Sequence, residues 1–324
     1  MAKGLESGVR ARTDRDEQGA LSVLLAVCMT VVIGAGAIVI DAGQVWATRR
    51  EAITAVDAAA LAAAQVYAQH GNGCTSGTAA EYVGLNSDDV ELTTCSRTGS
   101  GTRGSVTVAA AGAVNHQLAQ FIGRNSTTVT ASSTAYFGPA SIVTGLRPFG
   151  LCSESPGYEA WVASGHSTTA VFRVPYVKDA PEDCGGNVPG NWALMDFNEG
   201  DNLLEELRSW IRHGYPGEVG LGWQDGDPGV FANAMDVGSV LDQQIYVPIF
   251  DTSQGAGNNA QFRLVGFAAI IVRDYRDKGA ESSRYLDIQF TTAAISTTCC
   301  EGGARDAGLW AVGLCRVEGA GTCP

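Results

Sequence analysis

Charge is scarce in this chain of 324 residues: Asp, Glu, Lys and Arg together make up 17%, and the balance is acidic, with a formal net charge of −13. A general electrostatic grip on nucleic acid or anionic lipid needs a surplus of Lys and Arg, so neither is expected, and the acidity serves solubility. Histidine is nearly absent, with four in all (His70, His116, His166 and His213), and no Cys-x-x-Cys pair occurs. Both absences weigh against a zinc site. Also missing are a Gly-x-Ser-x-Gly elbow, a His-Glu-x-x-His helix and a Gly-x-x-x-x-Gly-Lys-Ser/Thr loop. His166 stands beside Ser167, but triad members converge from distant positions, and adjacency makes no triad. No catalytic residue, cofactor or metal ligand is therefore assigned.

What is present suits a globular protein: 45% of residues are apolar and 41 are glycine, in a chain long enough for one large or two ordinary domains. The nine cysteines are unevenly placed. Cys28 lies within an apolar run, and Cys74, Cys95, Cys152, Cys184, Cys299, Cys300, Cys315 and Cys323 all follow it. An even set spread over a non-cytosolic region reads as disulfides in preference to metal ligands. Cys74 with Cys95 and Cys152 with Cys184 are the expected pairs. Cys299 and Cys300 are each expected to bond one of Cys315 and Cys323, because a vicinal bond is strained.

From Gln18 to Ile40 there is no charged residue, and Glu17 and Asp41 close the run. About 20 such residues cross a bilayer as a helix. Lys3, Arg10, Arg12 and Arg15 precede it, against Arg49 and Arg50 just after it. This bias places the N-terminus in the cytoplasm and the cysteines outside. Ala35-Gly36-Ala37 has the small-x-small form of a signal-peptide cleavage site. The run continues through Ile38, Val39 and Ile40, however, which favours a retained anchor over a cleaved leader. Within the span Ser22, Ala26, Thr30 and Gly34 recur every four residues and form one stripe of small side chains, the kind of surface on which helices pack closely in lipid.

Beyond the span, residues 44–70 are Ala-rich and lack Pro and Gly. Ile53, Val56, Ala60, Ala63 and Tyr67 are spaced three and four apart, which predicts an amphipathic helix continuing the membrane helix. An unbroken rod from Ala20 to Gln69 would be roughly 75 Å long. Gly71-Asn72-Gly73 stops it.

The ordered series Glu17-x-Gly19-Ala20, apolar span, Asp41-x-Gly43, Arg49-Arg50, Asp57-Ala58-Ala59-Ala60-Leu61-Ala62-Ala63-Ala64 resembles the N-terminal module of TadE/TadG-like Flp pilus-assembly proteins, over about residues 17–66. Arg147–Cys152, the stretch 184–192 and Val247–Asp251 are similar to the exported part of actinobacterial members. The resemblance implies a component of a tight-adherence pilus or related secretion system in the cell envelope, with other Tad/Flp assembly proteins or pilin-like helices and the lipid bilayer as partners. Two departures limit it. Leu24 stands where a prepilin processed after Gly19 would carry Glu, and Asp251-x-Ser253-x-Gly255 lacks the last Ser of a metal-dependent adhesion motif.

The fold class expected is α+β: a cytoplasmic tail (1–17), a transmembrane and continuing amphipathic helix (18–70), a small exported α+β domain (71–138) and a β-rich, disulfide-containing domain (139–324). In the first exported domain, Asp89–Cys95, Ser105–Ala111 and Thr127–Phe137 read as strands and His116–Ile122 as a short helix. Gly138-Pro139 reads as a turn. Ala160–Val162, Ala170–Val177, Asp242–Phe250, Phe262–Val272 and Tyr285–Thr292 read as strands. A helix is expected from Asp201 to His213, capped by Asp201 or Asn202, with Leu203, Leu204, Leu207, Trp210 and Ile211 inward and Gly214 ending it. Asp225-Gly226-Asp227-Pro228 places two carboxylates on alternate residues, as calcium loops do, but Asp-Gly and Asp-Pro are also ordinary turn dipeptides.

The function read from these features is a non-enzymatic structural or interaction protein. A surface module that recognises a glycan or envelope ligand through Trp161, Trp192, Trp210 and Trp223 is the alternative. An envelope hydrolase is the remote one.

Overall fold

The computed structural model describes residues 6–175, 184, 194–198, 204–226, 236–255, 259–278, 283–297 and 303–315. Helix α1 runs unbroken over Glu6–His70, 65 residues and so roughly 100 Å. It begins well before Ala20. Gly71 ends it in the left-handed region (φ +74°), its N–H donating to the Tyr67 carbonyl at 3.0 Å.

The helix changes environment along its length. Leu21 to Ile40 is exposed and apolar, whereas from Ala52 on Ala55, Val56, Ala59, Ala60 and Ala63 are fully buried on one face. Ile53, expected inward, is 46% exposed. It follows Ala52 by one residue, about 100° around the helix and off the buried face. Helix α2 (Thr78–Asn86), which the sequence pattern did not signal, packs Ala79 and Val83 against α1. It is two turns long, contains Gly84 and has no side-chain cap, so it draws its stability from that contact.

Strands β1 (Glu91–Ser100), β2 (Arg103–Asn115) and β3 (Ser126–Pro139) form an antiparallel meander. Alternation puts Val106, Val108 and Ala110 of β2 under α1. The helix expected over His116–Ile122 is a single 3-10 turn, Ala119–Ile122, at the β2–β3 tip. Then follow β4 (Ile142–Val143), β5 (Leu151–Cys152), α3 (Pro156–Ala163), β6 (Val171–Pro175), α4 (Leu204–His213), β7 (Val219–Gly220), β8 (Gly222–Asp225), β9 (Gln244–Gln254), β10 (Gln261–Arg276), β11 (Tyr285–Thr291), β12 (Ala293–Ile295) and β13 (Leu309–Leu314). Ala160–Val162, expected as a strand, lies in α3. Pro156 presets the first turn, and Tyr158 and Trp161, three apart, share its buried face. In α4, Leu207, Trp210 and Ile211 are buried and Gly214 follows at φ +83°. Asp201, Asn202 and Leu203 fall outside the described residues.

One sheet has the order β1-β2-β3-β13-β12 and a second the order β5-β9-β10-β11-β6, with β8 also pairing β10. The architecture is thus α+β, dominated by strands after the long helix. Gly138 and Pro139 lie within β3, opposite Ala311 and Trp310 of β13. Strand β13 therefore returns the chain to the first sheet. Strand β13 divides two cores by its period of two: Trp310 and Val312 belong to the core under α1, Leu309 and Ala311 to the core of the second sheet.

Candidate functional site

The most distinctive constellation lies where the apolar run ends. Asp41 is 4% exposed, and its carboxylate accepts hydrogen bonds from three successive backbone N–H groups at the β2–β3 tip: Gln117 at 2.9 Å, Leu118 at 3.2 and 3.3 Å, and Ala119 at 2.6 Å. These are the donors left without partners at the start of the 3-10 turn, so the helix residue serves as a cap supplied from 76–78 residues away in sequence. Burial alone would raise the carboxyl. The N–H donors of Ala119, Gln117 and Leu118 outweigh it and hold the group below the ordinary carboxylate value, with His116 adding to this. Asp41 thus pins the tip to the helix at the level where the apolar segment stops.

A groove of about 1000 Å³ runs beside this clamp. One wall is the α1 face carrying Thr30, Gly34, Ile38, Asp41, Val45 and Arg49, and the other is the tip with Leu118, Phe121 and Arg124. The spacing of four and three along α1 makes that face a continuation of the small-residue stripe. Thr30 and Gly34 line the groove, while Ser22 and Ala26 are exposed nearer the N-terminus. The hydroxyl of Thr30 donates to the Ala26 carbonyl at 2.8 Å and that of Ser22 to the Gly19 carbonyl at 3.2 Å. The stripe therefore presents no unsatisfied hydroxyl donor to lipid. A Cβ added at Gly34 would meet nothing within 4 Å.

The remaining sequence-derived candidates are used within the fold. Cys74–Cys95 and Cys152–Cys184 are disulfides. Cys315 is disulfide-bonded to a partner outside the described residues, where Cys299, Cys300 and Cys323 also lie. Cys28, exposed in the apolar segment, is a free thiol. The His166 ring packs at 5.2 Å from Trp161 and 5.7 Å from Trp310, while the Ser167 hydroxyl donates to the Ser164 carbonyl. Asp251 is held by Arg263 at 2.8 and 3.0 Å and by Arg305 at 3.1 Å, and Ser253 donates to the Cys184 carbonyl at 3.1 Å. The atoms of that near-motif are thus committed to the fold. Asp225 accepts from Gln261 at 2.8 Å, and Asp227 and Pro228 are outside the described residues. Trp161 and Trp210 are 2% and 4% exposed, Trp223 is 47% exposed, and Trp192 is not among the described residues.

In the sequence Asp41 closes the apolar run and belongs to the Asp41-x-Gly43 part of the family resemblance, and no pattern singles out Phe121. Neither feature specifies the clamp, which depends on backbone donors 76–78 residues away. Nothing local signalled the role of Phe121.

Residues 19–66 match the family model described as putative Flp pilus-assembly TadE/G-like. The match spans the apolar segment, Asp41 and the alanine face as far as Ala64. No curated protein and no solved structure matches the chain.

Proposed function

We propose, from the premise that residues 19–66 are a TadE/G-like module, that this chain is a non-enzymatic, single-pass subunit of a Flp/Tad-type pilus assembly or related secretion system. The N-terminus faces the cytoplasm, and α1 carries the disulfide-bonded part outside the cytoplasmic membrane. The observation that supports this reading most is the change of environment along one helix. Its apolar part, long enough to cross a bilayer, is exposed, and its alanine face forms the core of the folded part. Such a helix transmits position from membrane to domain without a flexible linker. Two disulfides fit an oxidising compartment on that side.

The stripe of Ser22, Ala26, Thr30 and Gly34 is the surface offered to another assembly subunit's helix, where close packing in lipid drives association. Because a Cβ added at Gly34 meets nothing within 4 Å and the position opens onto the groove, Gly34→Leu tests the partner. In-membrane crosslinking and co-purification of pilus components should fall for Gly34→Leu and Thr30→Leu and hold for Val32→Leu. Equal recovery from all three would make the helix an anchor alone. Burial of Trp161 and Trp210 counts against the alternative of a tryptophan-based ligand module.

A further inference from the structure

The β2–β3 tip is an unusual surface for a chain with a net charge of −13. Phe121 is 81% exposed, and Trp46 on the adjoining helix is 63% exposed. Arg49 and Arg124 stand in the same groove, and Arg50 lies over the Trp46 ring at 5.0 Å. Among the described residues no carboxylate forms an ion pair with Arg49, Arg50 or Arg124. The position of the tip is fixed by Asp41, whose three N–H partners hold it immediately beyond the apolar run. Phe121 lines the same groove as Ile33, Gly34 and Ile38 of the apolar run.

From this placement we infer that the tip and the first three turns of α1 beyond Ile40 form a membrane-seating collar, in which Phe121 enters the outer interfacial layer of the phospholipid bilayer and Trp46, Arg49, Arg50 and Arg124 meet its headgroups. Two observations favour lipid as the occupant. The groove is continuous with the apolar segment, so whatever bathes Ile33 and Ile38 bathes Phe121. The charges above it are cationic and match headgroup phosphates, while aromatic rings with a polar edge settle at this depth. Trp46 sits roughly 9 Å beyond Ile40 along the helix, within the headgroup layer. Asp41, which closes the apolar run, has its charge met by backbone donors, and the exposed Glu51 and Asp89, the latter accepting from the Thr48 hydroxyl at 3.4 Å, are outnumbered by Arg49, Arg50 and Arg124. The collar fixes how deep the helix sits and how the exported part is tilted. It rests on the anchor reading above.

The test is photocrosslinking of the full-length chain in phospholipid nanodiscs, with p-benzoyl-phenylalanine at Phe121, Trp46, Ile33 or, as a distal control, the exposed His70, roughly 43 Å beyond Asp41. Phe121 and Trp46 are exposed, so the probe leaves the fold intact, and retention of the Cys74–Cys95 bond on non-reducing gels verifies that. Lipid adducts at Phe121 and Trp46 at least fivefold above His70, together with adducts at Ile33, are the expected result. Adducts at Ile33 with Phe121 and Trp46 at the His70 level would overturn the collar and leave the anchor standing. Absence of lipid adducts at Ile33 as well would overturn both. The nanodiscs hold no other assembly subunit, so the partner helix proposed for Ser22, Ala26, Thr30 and Gly34 does not compete for the groove, and adducts of Phe121 to a second copy of this chain in place of lipid would overturn the collar.

Discussion

Replacing Ala60 by leucine decides whether the alanine face of α1 is a tight interface or merely a convenient one. Ala60 is fully buried in the core shared with Val106, Val108, Phe137 and Trp310. If the space allowed it, the three added carbons would bury at about 0.8 kcal/mol each and stabilise the fold by about 2.4 kcal/mol. Methyl side chains at 52, 55, 59, 60, 63 and 64, all with no exposed surface, set the helix close to the sheet. The added carbons must then push the helix off the sheet or into strained rotamers, at a cost of about 1–3 kcal/mol. The two cases differ in sign. For a folded part of this size the second corresponds to a melting temperature lower by roughly 2–12 °C. Ala47→Leu, at an exposed position of the same helix, controls for propensity and should shift it little. The assay is thermal unfolding of the full chain in detergent, followed by near-ultraviolet circular dichroism. An Ala60→Leu chain as stable as the parent, or more stable, would refute the close packing of α1 on the sheet.

Other outcomes follow from the same contacts. Replacing both Cys74 and Cys95 by serine opens a loop of 21 residues and should cost about 3 kcal/mol, measured by urea unfolding. Asp251 should confer acid sensitivity. Burial would raise its carboxyl, but the bonds and charge of Arg263, then Thr252 and Arg305, depress it below the ordinary value. A depressed group stabilises above its unfolded pKa of about 3.9, and that contribution is lost as pH falls through the lower folded value. Asp251→Asn should therefore be less stable than the parent near neutral pH, with the gap closing below about pH 4. A gap that stays constant across the titration would show that the pair contributes packing and not charge. Asp41→Ala should free the β2–β3 tip, speeding amide exchange at Gln117, Leu118 and Ala119 and tryptic cleavage after Arg124, while leaving exchange at Val106 and Val108 in the core unchanged.

The helical half of the fold was legible because its signals are periodic and long. An uncharged run of bilayer length, an unbroken alanine-rich register and the Gly71 stop each act locally. Strands β2, β3, β9, β10 and β11 were legible for the same reason, through β-branched residues between turn clusters. Three features were not. Helix α2 has little intrinsic helical tendency and exists because α1 covers it. Trp161 looked like part of a strand because Ala-Trp-Val favours one locally, and Pro156 at the head of α3 decided otherwise. The return of β13 to β3 joins residues 310 and 139 through a contact no local pattern encodes. The candidate site divides the same way: Thr30 and Gly34 were visible by spacing, whereas the Asp41 clamp depends on an approach of residues 76–78 positions apart.

In the function proposed above, one helix both crosses the membrane and forms the core of a domain on the outer side. The most direct measurement is protease accessibility in intact spheroplasts carrying the full-length chain, with antibodies to each end and carbonate washing of the membranes. External protease is expected to remove the C-terminal epitope without lysis, while the N-terminal epitope survives until lysis and stays in the carbonate-washed pellet. A C-terminal epitope digested only after lysis, or a chain released by carbonate, would contradict it.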